Sequence, residues 1–177
     1  MAQVEHAHAT NRNGNAHRPA NGSIDRGAAP AIAKALNALL ADSFALYLKT
    51  KNFHWHVIGP HFRPYHLLFD EHAEELSAST EELAERVRAM GARPAGAEEL
   101  RRIRDGKRPS IRSQDMLSEL MEDNEAMAEE VRKVRGLCER HADAASTSLL
   151  QSLLGQTERR REFLCDLRRE QEEDNTF

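Results

Sequence analysis

Five side chains between residues 51 and 86 are of types that bind metal ions: His54, His66, Asp70, Glu81 and Glu85. His66/Asp70 and Glu81/Glu85 are each four residues apart, so each pair projects from one face of a helix. Imidazole and carboxylate ligands together favour iron, whereas thiolate ligands favour zinc. A site with few protein ligands also leaves coordination positions open for oxygen or peroxide.

The two pairs are too far apart to serve one metal ion within a single chain. Fifteen residues separate them, which is roughly 22 Å along a straight helix at about 1.5 Å per residue. The ligands of one ion lie about 2 Å from it. If both pairs belong to one site, a second subunit must complete it. The alternative is that both are ordinary solvent-exposed pairs on the polar face of a helix.

A turn at Gly59-Pro60 adds a histidine to the first pair. His54 and His66 lie six residues on either side of Pro60, so an antiparallel helical hairpin brings them to a similar height. Di-iron four-helix bundles usually hold their metal inside one bundle, with Glu-x-x-His on two helices. No histidine in the predicted helices has a glutamate three residues before it. The sequence therefore predicts a site on the subunit surface.

Apolar residues recur every three to four positions over most of the chain, which predicts amphipathic helices. The first helix should span 30–57 and the second 62–90, the third should begin at 113, and the fourth should include 149–167. Residues 97–104 predict a short extra helix in the connection between helices two and three. Nothing reads convincingly as a strand. The fold class is therefore all-α, a four-helix bundle.

Composition limits the domain organisation and the location. Residues 1–29 are rich in Ala, Asn, Gly and His and lack an apolar period, so we expect a disordered tail before a bundle domain over 30–173. The net charge of −4 argues against general nucleic-acid binding. The sequence has no run of roughly 18 apolar residues, so we expect no transmembrane helix. The N-terminus lacks the apolar core of a secretory signal, which favours the cytoplasm.

The residues around these ligands resemble the Dps family of mini-ferritins, over about residues 31–170. The segments that carry the resemblance are Lys51-Asn52-Phe53-His54-Trp55-His56, Gly59-Pro60-His61-Phe62, Tyr65-His66, Asp70-Glu71 and Glu82-Leu83-Ala84-Glu85-Arg86. The resemblance implies a ferritin-like bundle and a hollow homododecamer with ferroxidase centres at two-fold interfaces. In the family pattern, one subunit supplies a His and a His-x-x-x-Asp pair, and its neighbour supplies an Asp-x-x-x-Glu pair. Here these correspond to His54, His66 and Asp70, and to Glu81 and Glu85.

One ligand departs from the family pattern. Glu81 stands where the family usually has aspartate, and its extra methylene moves the carboxylate by about one bond length, which could loosen iron binding. A shift in register would bring in Glu82 instead, but only Glu81 is four residues from Glu85. Trp55 follows His54 directly in the sequence. It is either a residue that intercepts stray oxidising equivalents from the site or a residue of the core.

The resemblance implies iron storage and detoxification. Fe(II) would be oxidised, preferably by hydrogen peroxide and otherwise by oxygen, and stored as ferric mineral, which would protect DNA from oxidative damage. The alternative is a nucleoid-binding architectural shell in which ferroxidase activity is weak or secondary. A basic patch over Arg101–Arg112 is the candidate DNA contact, and it would associate a cytoplasmic protein with the nucleoid. Asp143 is either a residue of an acidic iron-entry pore or the N-cap of the fourth helix.

Overall fold

The structure, a computed structural model, describes residues 27–96 and 112–174. Four α-helices account for most of them: α1 Ala29–His56, α2 Phe62–Ala89, α3 Ser113–Arg140 and α4 Ala144–Asp174. The described ranges contain no strand, so the prediction of an all-α bundle is confirmed. Residues 1–26 of the tail predicted over 1–29, the short helix predicted over 97–104 and the basic patch up to residue 111 lie outside these ranges.

Local chemistry explains where the helices begin and end. Pro30 occupies the first turn of α1, where its missing N–H costs no hydrogen bond. At Val57 the backbone becomes extended, and Gly59 then adopts a φ of 110°, which L-residues rarely tolerate. At the end of α2, Gly91 has a φ of 78°, and Ala92 N–H donates to the Val87 carbonyl at 3.2 Å. This is the Schellman arrangement that closes a helix with glycine.

The helices associate as two hairpins. α1 packs mainly on α2, and α3 packs mainly on α4. The hairpins meet chiefly between α1 and α3, while α2 and α4 touch along a narrower seam. The core between them is aliphatic and aromatic, and it includes Leu36, Phe53, Phe69, Leu117 and Leu150. Burial of this apolar stripe supplies the main driving force for the fold.

Helix α1 is long and apolar enough to cross a membrane by length and composition, whereas the sequence predicts no such helix. Its apolar side chains include Ile32, Leu36, Leu39 and Leu40, and all four are buried in the bundle. Core helices of helical bundles pass the same test of length and composition.

Candidate metal site

The hairpin of α1 and α2 brings His54 and His66 into direct contact. Their rings stack with centroids 3.8 Å apart and an angle of 22° between planes. His54 Nδ1 lies 2.8 Å from the His66 carbonyl oxygen, and His66 Nδ1 lies 2.9 Å from the His54 carbonyl oxygen. The turn at Gly59-Pro60 therefore places the two histidines at one height, as the spacing about Pro60 predicts.

This reciprocal pairing sets the tautomer of both rings. A backbone carbonyl oxygen can only accept a hydrogen bond, so each Nδ1 must carry the proton and donate it. In the neutral form of such a ring, the lone pair lies on Nε2. A histidine that donates from one nitrogen to a carbonyl and presents the other to a cation is the usual arrangement at metal sites. The pairing thus engages both Nδ1 atoms and leaves both Nε2 atoms available as ligands.

Asp70 lies one helical turn beyond His66, and its Oδ1 is 3.9 Å from His54 Nε2. The same carboxylate accepts a hydrogen bond from the ammonium of Lys51 and forms an ion pair with it. The hydrogen bond from Lys51 lowers the pKa of Asp70 below its ordinary value, so the carboxylate stays ionised. Lys51 was not among the predicted site residues, although its position three residues before His54 places it on the same helix face.

Glu81 and Glu85 are exposed on the second half of α2. α2 is one continuous helix from Phe62 to Ala89, so the two glutamates lie roughly 22 Å along it from His66 and Asp70. Among the described residues, neither glutamate forms a hydrogen bond or ion pair, and no three His, Cys, Asp or Glu side chains of one chain converge as metal ligands. The structure stacks His54 on His66 and places Asp70 near His54, and it leaves the glutamates apart from them.

Apolar side chains surround the histidine pair and remain exposed in the single chain. Trp55 is 66% exposed, so it is not part of the subunit core. Ile58, Phe62 and Leu67 are also largely exposed, and the Phe62 ring stacks on His66 with centroids 4.9 Å apart. An exposed apolar surface beside candidate metal-binding side chains is typical of a protein–protein contact.

Asp143 caps α4. Its Oδ1 accepts a hydrogen bond from Ser146 N–H at 3.1 Å and another from the Arg86 guanidinium at 2.6 Å. The residue is 1% exposed, so its carboxylate does not reach solvent from a single chain. Of the two interpretations, the N-cap fits this geometry and the pore residue does not. Arg86, the residue after Glu85, thereby ties the end of α2 to the start of α4.

Comparison with known proteins gives consistent matches. The ferritin-like domain matches residues 33–173. An uncharacterized low temperature-induced protein of Nostoc sp. is 35% identical over 116 residues, 63% of this chain and 63% of that protein, so the match spans less than two thirds of that relative. DNA protection during starvation protein 2 of Bacillus anthracis is 29% identical over 132 residues, 72% of this chain and 90% of that protein.

Solved structures agree with these matches. An archaeal Dps homologue from Halobacterium salinarum superposes with a TM-score of 0.74 at 29% identity, covering 85% of this chain and 90% of that one. The chain therefore belongs to the ferritin-like family, as a mini-ferritin of the Dps type. The resemblance seen around the five candidate ligands is confirmed at the level of the family.

Proposed function

We propose that this protein is a ferroxidase that oxidises and stores iron, with each centre shared between two subunits. The observation that carries the proposal is the stacked pair of His54 and His66, whose Nδ1 atoms are engaged and whose Nε2 atoms can bind a metal ion. Asp70 adds a carboxylate from the same chain. Glu81 and Glu85 of a second chain complete the site.

The positions on α2 support this assignment. His66, Asp70, Glu81 and Glu85 lie within an arc of about 100° on one face of the helix. Two antiparallel copies of α2, related by a two-fold axis between residues 75 and 76, would place residue 66 opposite 85 and residue 70 opposite 81. Glu82 points about 100° away from Glu81, which favours Glu81 as the ligand.

The surface of the chain suits such pairing. Ser77 and Ala78 are exposed near the centre of α2, and small side chains allow two helices to approach closely. The exposed apolar side chains around the histidines would be buried by the second subunit. Family membership favours a homododecamer with these contacts at its two-fold axes, in the cytoplasm.

The chemistry follows from the ligand set. Fe(II) is the substrate, held by imidazole and carboxylate groups with positions left open for the oxidant. Two Fe(II) ions each give one electron to one hydrogen peroxide molecule, whose O–O bond breaks. With two protons this yields two water molecules and two Fe(III) ions, which hydrolyse to mineral in the cavity. Oxygen is the slower oxidant. Removing Fe(II) and peroxide together suppresses hydroxyl radicals and would protect DNA.

Stopped-flow oxidation of Fe(II) by peroxide tests the proposal. His54→Ala/Glu85→Gln should lower the rate at least roughly 100-fold, because loss even of groups that only orient metal ligands costs about 10–100-fold. His56→Ala is the matched control, since His56 is exposed nearby and its Nδ1 donates to the Asn52 carbonyl at 2.7 Å. The wild-type rate in the double variant would refute the assignment.

A further inference from the structure

A buried arginine lies inside the helix bundle, near the midpoint of α4. Arg160 is 1% exposed. Its guanidinium donates to three oxygen atoms: Asn124 Oδ1 at 3.1 Å, Glu75 Oε2 at 3.2 Å and Thr157 Oγ1 at 3.0 Å. These acceptors belong to α3, α2 and α4, and each lies close to the middle of its helix. The guanidinium therefore occupies a cage of oxygen atoms built by three helices.

A histidine lies beside this cage with an unused nitrogen. His72 precedes Glu75 by three residues, so both project toward α4 from the same face of α2. His72 is 4% exposed, and its Nε2 is buried with no hydrogen-bond partner among the described residues. Burial, with a smaller contribution from the charge of Arg160, lowers the pKa of His72 to about 4. The buried Nε2 without a partner makes His72 a candidate ligand for a cation.

The interior of the bundle is where many related helical bundles hold their metal ions. Those centres are built from glutamates and from Glu-x-x-His pairs that point inward. Here the order is reversed, as His72-x-x-Glu75, and a permanent cation lies among the oxygen atoms. A carboxylate, an amide oxygen, a hydroxyl and an imidazole nitrogen are all metal ligands. The residues present therefore do not fit a bound metal, because Arg160 occupies the space and repels positive charge.

We propose that Arg160 takes the place of a metal ion in the bundle interior, and that removing its guanidinium creates a divalent-cation site formed by His72, Glu75 and Asn124. In the natural chain this buried cation closes the interior to metal ions. Metal binding is thereby confined to the surface of the subunit. The inference does not depend on the proposed ferroxidase, since it concerns the opposite side of α2.

The test uses the full chain with His54→Ala/His66→Ala, so that the surface histidines contribute nothing. Arg160→Ala is introduced into this background, with Arg160→Lys as the matched control that keeps a cation. Co(II) is the probe, because its visible absorption reports ligation by nitrogen and oxygen. We expect one bound Co(II) per chain for Arg160→Ala and none for Arg160→Lys. Adding Glu75→Gln to Arg160→Ala should weaken Co(II) binding at least about tenfold.

Thermal unfolding covers the case in which Arg160→Ala folds poorly. A cation that binds only the native state stabilises it by mass action, so Co(II) should raise Tm by about 3 °C or more. If the chain is unfolded without metal, Co(II) should restore its helical circular dichroism. Arg160→Lys should respond to Co(II) in neither way. An Arg160→Ala chain that is folded but binds no Co(II), or that stays unfolded with Co(II), would overturn the proposal.

Discussion

The two sides of α2 carry similar ligand types but hold their cations differently. On the outer side, Asp70 pairs with Lys51, and both side chains are partly open to solvent. On the inner side, Glu75 pairs with Arg160, whose side chain is almost fully buried. A histidine of α2 precedes each carboxylate by about one helical turn: His66 comes four residues before Asp70, and His72 comes three residues before Glu75.

The difference shows that ligand type alone does not decide where a metal ion can enter. A flexible, partly exposed lysine can leave its carboxylate for water at little cost. A buried guanidinium with three hydrogen bonds cannot leave without exposing unpaired polar groups in the core. On the outer side, a metal ion can therefore replace the lysine ammonium. On the inner side, it cannot replace the guanidinium.

The two sides of α2 should differ most clearly in the stability that is lost when the cation of each is removed. Arg160→Ala leaves Asn124, Thr157 and Glu75 without their donor and opens a cavity, so we expect it to lower the free energy of unfolding by about 4 kcal/mol. Glu75 is partly exposed, so water can replace part of the lost hydrogen bonding and the loss stays near this value. Lys51→Ala should cost less than about 1 kcal/mol, because its ion pair faces solvent. Urea denaturation measures both, and equal losses would contradict the comparison.

Acid should weaken the inner side through His72. Its pKa is about 4 in the folded chain and 6.5 when unperturbed, so between these values the unfolded chain binds a proton that the folded chain does not. The free energy of unfolding should therefore fall by about 3 kcal/mol as the pH drops from 6.5 to 4. Denaturation across this pH range should show the fall in the His56→Gln control and lose it in His72→Gln. The same pH dependence in both variants would exclude His72 as its source.

The smallest effect should come from Lys51. The neutral Lys51→Met variant removes the hydrogen bond that lowers the pKa of Asp70, so that pKa should rise toward its ordinary value. The cation that competes with metal is also gone, and the affinity for Zn(II) at neutral pH should increase a few-fold. Lys49→Met is the control, because Lys49 pairs with Glu119 and Asp123 on α3 instead. Calorimetric titration that finds equal affinities in the two variants would exclude this competition.

The sequence predicts what is local and periodic in this molecule. The first two helices were expected over 30–57 and 62–90, and they span Ala29–His56 and Phe62–Ala89. The symmetry of the histidines about Pro60 was enough to place His54 beside His66. The cage around Arg160 joins residues up to 85 positions apart, and no short-range period encodes such contacts. The same holds for Arg86 and Asp143, which are 57 positions apart.

The most direct test of the shared centre is complementation between two inactive chains. His54→Ala lacks one half of the proposed site and Glu85→Gln lacks the other. When the two are unfolded together and reassembled, about a quarter of the interface sites should combine an intact His54 with an intact Glu85. The mixture should then regain about a quarter of the wild-type rate of Fe(II) oxidation, while each variant reassembled alone stays inactive. No recovery in a mixture whose subunits have demonstrably exchanged would contradict a centre shared between subunits.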